Sequence, residues 1–213
     1  SFLSKKITIW EGDASLPNCG LDPVQVAGWN GKLGLVLNCA GLVDFFPRVD
    51  EALRGNADTV DNILALTRDI GAKLLHVSTC YVAGRVNGLV EETEPIQAFY
   101  PLRDGLSDRS FDYAAEREYC CERVSRIVGS TIGDDGVLLF EARKQLIDLG
   151  RQRANQWGWV NTYTYSKSIG EQILAAQMDV DYTIVRPAIV ESALHFPFPG
   201  WIEGGRTAAP LIL

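Results

Sequence analysis

The chain has 213 residues, of which 46% are hydrophobic and 22% charged. This composition supports one globular domain and argues against long disordered segments. Its 27 acidic and 20 basic residues give a formal net charge of −7, which disfavours a nucleic-acid phosphate backbone as the main partner. No apolar stretch approaches the roughly 20 residues that a spanning helix needs, and the first ten residues contain no signal-peptide core. We therefore expect no nucleic-acid partner and no membrane span.

Cysteine and histidine usage bears on compartment and metal binding. The five cysteines include one adjacent pair but no Cys-x-x-Cys spacing, and there are only two histidines. This set predicts neither a disulfide framework nor a zinc site. It favours a reduced, cytoplasmic protein without a bound metal.

Short β-branched runs alternate with longer helical patterns along the chain, which is typical of an α/β protein with a parallel sheet covered by helices. The predicted strands are residues 7–10, 33–39, 73–78 and 182–186. The second of these is a continuous apolar run, so we expect it to be buried on both faces. The predicted helices are residues 22–29, 49–70, 113–127, 138–156 and 162–178, with Gly71 placed as a helix stop.

Two regions stand apart from this alternation. Residues 85–156 begin with turn-rich acidic sequence and continue as two amphipathic helical stretches, which we interpret as a helical insertion over one edge of the sheet. Residues 187–213 are rich in Phe, Pro, Gly and Trp, and this composition favours a loop region on the substrate side of the fold. No linker separates the parts, so residues 1–213 are predicted to form a single domain.

Tyr163 and Lys167 form the most informative pair. Residues four positions apart lie on the same helix face, so the ammonium can approach the phenol. A nearby positive charge favours the phenolate and lowers a tyrosine pKa toward neutrality, which makes the phenol usable as a proton donor and acceptor. The alternative is a surface tyrosine packed on a lysine stem, since this spacing alone is weak.

Two hydroxyls, on Ser78 and Thr79, follow the predicted strand 73–78. Open α/β sheets bind ligands at the carboxyl ends of their parallel strands. A hydroxyl at this position can donate to a substrate carbonyl oxygen, although serine and threonine are also ordinary turn residues.

Five segments together resemble one family. They are residues 37–41, 76–84, 161–167, 186–190 and 197–202, and their order is that of extended short-chain dehydrogenase/reductases. More narrowly, the chain resembles the fatty acyl-CoA reductase (male-sterility) family. The resemblance implies a Rossmann-like doubly wound parallel sheet and NADPH-dependent reduction of a fatty acyl-CoA, through a hemithioacetal, to the aldehyde. Whether reduction continues to the alcohol is left open.

The same resemblance implies roles for individual residues. Tyr163 would be the general acid, Lys167 would lower its pKa and bind the nicotinamide ribose, and Thr79, rather than Ser78, would orient the substrate oxygen. The remaining residues implied in cofactor binding are Asp13 with Ala14 at the adenine, Cys39, Ala40 and Gly41 along the dinucleotide, Asn56 as a brace, Ser78, and Pro187, Ala188 and Ile189 facing the nicotinamide carboxamide. The plainer alternatives are a turn aspartate for Asp13, a tight turn at residues 39–41 and an exposed helix residue for Asn56.

The chain departs from the family pattern at one point. The family begins with a strand and a glycine-rich turn that holds the pyrophosphate, and the sequence contains no such turn. We therefore expect the first β-α-β segment to lie outside a trimmed chain, which would leave a sheet edge uncovered and make the fragment bind a dinucleotide poorly. The long insertion at residues 85–156 agrees with the resemblance.

A set of aromatic residues could line a tunnel for an acyl chain, or could simply belong to the hydrophobic core. They are Trp157, Trp159, Phe196, Phe198 and Trp201.

Other functions stay open at this point. A thioester reductase domain that accepts carrier-bound acyl groups would share the same motifs. A non-catalytic dinucleotide-binding protein would share the fold, although such proteins often lose the tyrosine and lysine. A sugar-nucleotide epimerase is disfavoured by residues 199–202 (Pro-Gly-Trp-Ile). Oligomeric state and peripheral membrane association are left open.

Overall fold

Three parallel strands form the sheet in the computed structural model, which describes residues 6–93, 95–105, 109–131 and 140–202. They are β1 (Leu35–Asn38), β2 (Lys73–Val77) and β3 (Tyr182–Val185), in the order β1-β2-β3. The register pairs Asn38 with His76, and His76 with Ile184. The predicted α/β class with a parallel sheet is confirmed.

Six α-helices accompany these strands in the described ranges. They are α1 (Pro23–Trp29), α2 (Val49–Leu53), α3 (Thr59–Ile70), α4 (Tyr113–Thr131), α5 (Phe140–Trp157) and α6 (Thr162–Ala175). In the described ranges, none of the helices combines the length and the apolar composition that a membrane span requires.

Local sequence explains where the helices begin and end. Asp22 caps α1 by accepting a hydrogen bond from Val24 N, and Asn161 caps α6 by accepting one from Thr164 N at 2.9 Å. Each cap satisfies an amide that the first helical turn leaves unpaired. Gly71 ends α3 with a φ of 68°, a left-handed conformation that glycine adopts without a steric cost.

The predicted helix 49–70 contains a widened turn. A π-helical segment, Arg54–Asp58, separates α2 from α3 without breaking the helical path. Such wide turns often occur at functional sites. The turn packs against α6, and its Asn56 side chain is buried. It therefore connects the helical segment between β1 and β2 to α6, the helix that carries Tyr163.

The sheet has one covered face. Leu74 belongs to a core cluster that includes Ile63 of α3 and Ile169 of α6. On the opposite face, Leu35 and Leu37 are each more than half exposed. The expectation that this strand is buried on both faces is wrong for the described residues, because the helices α3 and α6 pack on the side that carries Leu74.

The predicted strand at residues 7–10 is also wrong. The segment has irregular structure, and Ile9 and Trp10 are exposed. A strand requires a neighbour for its backbone ladder, and none of the described strands pairs with it. Trp10 instead packs edge-on against Trp29, with 5.8 Å between ring centroids.

The helices of the predicted insertion extend the helical layer. Both α4 and α5 pack against α2, and α5 also packs against α6. This differs from the expected place over a sheet edge, since the elements against which they chiefly pack are helices. A buried cluster joins the parts: Arg153 pairs with both carboxylate oxygens of Glu116, which accepts a hydrogen bond from Tyr165 OH at 2.7 Å.

Candidate active site

Tyr163, Lys167 and Thr79 meet at the carboxyl edge of the sheet. The Asn161 cap places Tyr163 in the first turn of α6 and Lys167 one turn later. Lys167 is buried, and its Nζ donates a hydrogen bond to Val77 O at 2.8 Å, at the end of β2. The Thr79 hydroxyl, just beyond β2, lies close enough to the Tyr163 phenol to act on its pKa. Residues separated by more than eighty positions in sequence thus form one polar group.

The electrostatics of Tyr163 differ from the expectation. Half-burial raises the pKa of the Tyr163 phenol, the Thr79 hydroxyl opposes this, and the Cys80 thiol adds a smaller rise. Burial disfavours the phenolate because an ion loses solvation in a low-dielectric site. The predicted lowering by Lys167 is therefore wrong for this structure, where the ammonium is directed at the carbonyl of Val77.

Lys167 itself is perturbed. Burial lowers the pKa of the Lys167 ammonium to about 8, while the nearby Glu171 carboxylate and Cys39 thiol oppose the shift. The cause is the same loss of solvation, which for a cation favours the neutral amine. Shifts of this size at a buried lysine are common among functional residues.

Asn56 is buried rather than exposed on a helix surface. Its side-chain oxygen accepts a hydrogen bond from Leu42 N at 2.9 Å, and its nitrogen donates to Leu42 O at 3.0 Å and to Ser166 Oγ at 2.9 Å. Ser166 donates in turn to Tyr163 O. Asn56 therefore links the loop after β1 to the first turn of α6.

The loop after β1 passes close to these groups. Asn38 Oδ1 accepts a hydrogen bond from Ala40 N at 3.0 Å, which fixes the start of the loop, and Cys39 is exposed. A Cβ added at Gly41 would lie 2.8 Å from Asn56 Oδ1 and 3.7 Å from Lys167 Nζ. A side chain at Gly41 would therefore fill the space between the loop and the lysine.

Ser78 and Thr79 point to different surroundings. Successive residues of an extended segment face opposite sides, and Ser78 is buried with no hydrogen-bond partner for its hydroxyl among the described residues. Thr79 also accepts a hydrogen bond from Tyr81 N at 3.3 Å. The structure thus places Thr79, and not Ser78, against Tyr163.

Asp13 and Ala14 are the residues that the resemblance assigns to the adenine. Asp13 is exposed and accepts a hydrogen bond from Ser15 N at 2.8 Å. The Ser15 hydroxyl first, and this amide second, lower the pKa of the Asp13 carboxyl. Ala14 O accepts a hydrogen bond from Asn62 at 3.0 Å. This is the turn geometry expected of the plainer interpretation, and it leaves the Asp13 carboxylate open to solvent.

The segment after β3 is tied to the segment after β2. Pro187 O accepts a hydrogen bond from Cys80 N at 3.0 Å, and the next two residues, Ala188 and Ile189, are both exposed. The preceding residue, Arg186, donates to both oxygens of Glu171 on α6.

Sequence reasoning did not identify Glu171 or Phe45 as parts of this site. Glu171 lies four residues after Lys167, so helix periodicity was the signal that could have placed it on the same face. Phe45 packs edge-on against Tyr163, with 5.9 Å between ring centroids. No sequence pattern specifies that contact.

Four of the five aromatic residues considered for a tunnel are divided between core and surface, and the fifth, Trp201, is partly buried. Trp157 and Trp159 are buried and pack edge-on against Phe111, as the core alternative expects. Phe196 and Phe198 are exposed. These side chains therefore do not form one continuous lining.

A parallel sheet with a Tyr-x-x-x-Lys helix at its carboxyl edge defines the class of the protein. It is a Rossmann-like domain of the short-chain dehydrogenase/reductase type. The fold agrees with the crystal structure of the terminal R domain from the myxalamid PKS-NRPS biosynthetic pathway, with a TM-score of 0.56 at 17% identity over 90% of this chain and 36% of that one.

Sequence comparison identifies the family. The NAD-binding model of the male sterility protein family matches residues 1–213, and the chain belongs to this family. Relatives include the alcohol-forming fatty acyl-CoA reductase of Simmondsia chinensis, 30% identical over 97% of this chain and 41% of the relative. Fatty acyl-CoA reductase 8 of Arabidopsis thaliana is 31% identical over 100% of this chain and 42% of the relative. The chain thus spans about two fifths of the length of these oxidoreductases.

Proposed function

We propose that the protein reduces a fatty acyl-CoA with NADPH, forming the aldehyde, with Tyr163 as the proton donor. The observation that carries this proposal is the pairing of Tyr163 with Thr79 beside the buried Lys167. Both side chains lie at the carboxyl edge of a parallel sheet, where such folds bind ligands. Family membership and the relatives named fatty acyl-CoA reductases support the substrate class.

The residues present fit the nicotinamide half of a dinucleotide. Gly41 keeps the loop after β1 free of side-chain bulk beside Lys167. An ammonium has three N–H donors, and in the described part of the chain Lys167 uses one of them on Val77 O, which leaves two for ribose hydroxyls. The backbone of residues 187–189 would face the carboxamide, and Asp13 would reach the adenine. When bound, the cofactor supplies the hydride.

The chain's own residues supply orientation and the proton. Thr79 Oγ and the Tyr163 phenol would both donate to the substrate carbonyl oxygen, which fixes the carbonyl and stabilises negative charge as it develops there. Tyr163 then transfers its proton to that oxygen, which gives the hemithioacetal. The carbon–sulfur bond of the hemithioacetal would next break, the hydroxyl proton would pass to the departing CoA sulfur, and the aldehyde would remain. A raised phenol pKa keeps Tyr163 protonated at neutral pH, and this is the form that a proton donor requires. Lys167, still largely cationic at pH 7, would hold the ribose next to the reacting carbonyl.

The test is NADPH oxidation by the full-length gene product with palmitoyl-CoA, comparing wild type with Tyr163→Phe. We expect turnover to fall about 10²- to 10⁴-fold in the variant, the range for loss of a general acid, with little change in NADPH affinity. Tyr119→Phe is the matched control, because Tyr119 is a partly exposed tyrosine on α4. Wild-type enzyme that binds NADPH but reduces only acyl groups on a carrier protein would contradict the proposed substrate. Undiminished turnover in Tyr163→Phe would contradict the proposed donor.

A further inference from the structure

A short loop beside the candidate active site exposes three large apolar side chains. Val43, Phe45 and Phe46 lie within four residues of one another and are 61%, 56% and 52% exposed. Exposed apolar residues are common when scattered singly, but a cluster of them marks a surface that contacts another molecule. The position of this cluster indicates what that molecule is.

The loop leaves the carboxyl end of β1, the neighbour of the strand that leads to Thr79. Phe45 packs edge-on against the Tyr163 ring, with centroids 5.9 Å apart. The apolar surface is therefore continuous with the pair that would hold the substrate carbonyl. A carbonyl bound between Thr79 and Tyr163 would have its carbon chain within reach of this surface.

The conformation of the loop is set before any ligand arrives. Asn56 holds both backbone polar groups of Leu42, at 2.9 and 3.0 Å, and Asp44 Oδ1 accepts a hydrogen bond from Phe46 N at 3.0 Å. The Phe46 ring also lies under the Arg151 guanidinium, 5.6 Å from its centroid. Rings fixed in this way lose little conformational entropy on binding, which favours a recognition role.

We propose that Phe45 and Phe46 form a platform for the acyl chain of the substrate and set the preference for long chains. This inference rests on the proposed function, because the chain enters the site attached to the reacting carbonyl. The chemistry fits a hydrocarbon: aromatic rings offer large apolar faces, and each methylene that leaves water on binding adds favourable free energy. The charged Arg151, itself paired with Asp148, marks the polar border of the platform.

The test measures chain-length dependence in Phe45→Ala and Phe46→Ala. For wild type we expect kcat/KM to rise about fourfold for each methylene that the platform covers. Either variant should lower kcat/KM for palmitoyl-CoA by about tenfold and leave butyryl-CoA nearly unchanged. Phe46→Ala serves as the second variant because it leaves the contact between Phe45 and Tyr163 in place. Phe140→Ala is the matched control, an exposed phenylalanine at the start of α5.

Binding provides a readout that does not depend on turnover. Titration calorimetry without NADPH should show weaker palmitoyl-CoA binding by both variants and unchanged binding of free CoA. Equal loss for palmitoyl-CoA and butyryl-CoA, or a raised KM for NADPH alone, would overturn the platform and assign the loop to positioning Tyr163 or to the cofactor. Wild type that reduces no acyl-CoA of any length would instead overturn the proposed function.

Discussion

Replacing Gly170 by alanine tests whether the contact between α6 and the wide turn at Arg54–Asp58 supports the site. A Cβ at Gly170 would lie 2.4 Å from Asn56 O and 3.2 Å from Val60 Cγ2. Carbon and oxygen atoms without a covalent link normally stay about 3.3–3.6 Å apart. Because the nearest atom belongs to the backbone, no change of side-chain rotamer can relieve the clash, and α6 must move.

The size of the effect follows from two opposing terms. Overpacking of this kind costs about 3 kcal/mol, the upper part of the usual range. Alanine gains about 1 kcal/mol over glycine inside a helix. The net loss of about 2 kcal/mol corresponds to a fall in Tm of roughly 4–8 °C for a chain of this size. Displacement of Tyr163 and Lys167 on the same helix should also lower kcat.

Gly129→Ala is the matched control, because Gly129 lies in α4 and an added Cβ there would meet no atom within 4 Å. Differential scanning calorimetry of the full-length protein should show an unchanged or slightly higher Tm for this variant, through the helix-propensity gain alone. A Tm for Gly170→Ala equal to or above that of wild type would refute the reasoning, since it would mean that the interface has room for a methyl group.

Two further predictions concern charged groups. Arg153→Leu leaves the Glu116 carboxylate buried without its partner, so we expect a loss of about 3–5 kcal/mol in thermal or urea unfolding at pH 7. Arg126→Leu, at an exposed ion pair, should by contrast change stability by less than about 1 kcal/mol. The second prediction concerns Lys167, whose ammonium has its pKa lowered to about 8. We expect kcat/KM to decrease as pH rises through about 8, because the ammonium then loses its proton. A pH–rate profile that stays flat up to the ordinary lysine pKa near 10.5 would contradict the ammonium role.

Much of the architecture follows from local patterns in the sequence. The alternation of apolar runs with helical periodicity predicts the order of elements from residue 22 to residue 185, and the capping residues Asp22 and Asn161 lie one position before the helices that they begin. These signals are short-range, because a helix or strand is specified largely by the spacing of apolar residues and by its ends.

Environment-dependent features were predicted less well. The strand expected at residues 7–10 failed because strand formation needs a neighbour, and the expected burial of β1 on both faces failed because burial depends on what packs against a strand. The expected lowering of the Tyr163 pKa failed for a related reason. The spacing of Tyr163 and Lys167 specifies a shared helix face, but the ammonium is directed at Val77 O, and half-burial controls the phenol.

The sequence by itself determined the α/β class and the shared helix face of Tyr163 and Lys167, since both depend on residues close together in the chain. Only the tertiary structure decided that Thr79 meets Tyr163, that Asn56 joins the loop after β1 to α6, and that Phe45 lies against the catalytic candidate. These contacts join residues that are distant in sequence. They form when α3 and α6 pack on the sheet. The same packing determines how far each charged group is removed from solvent.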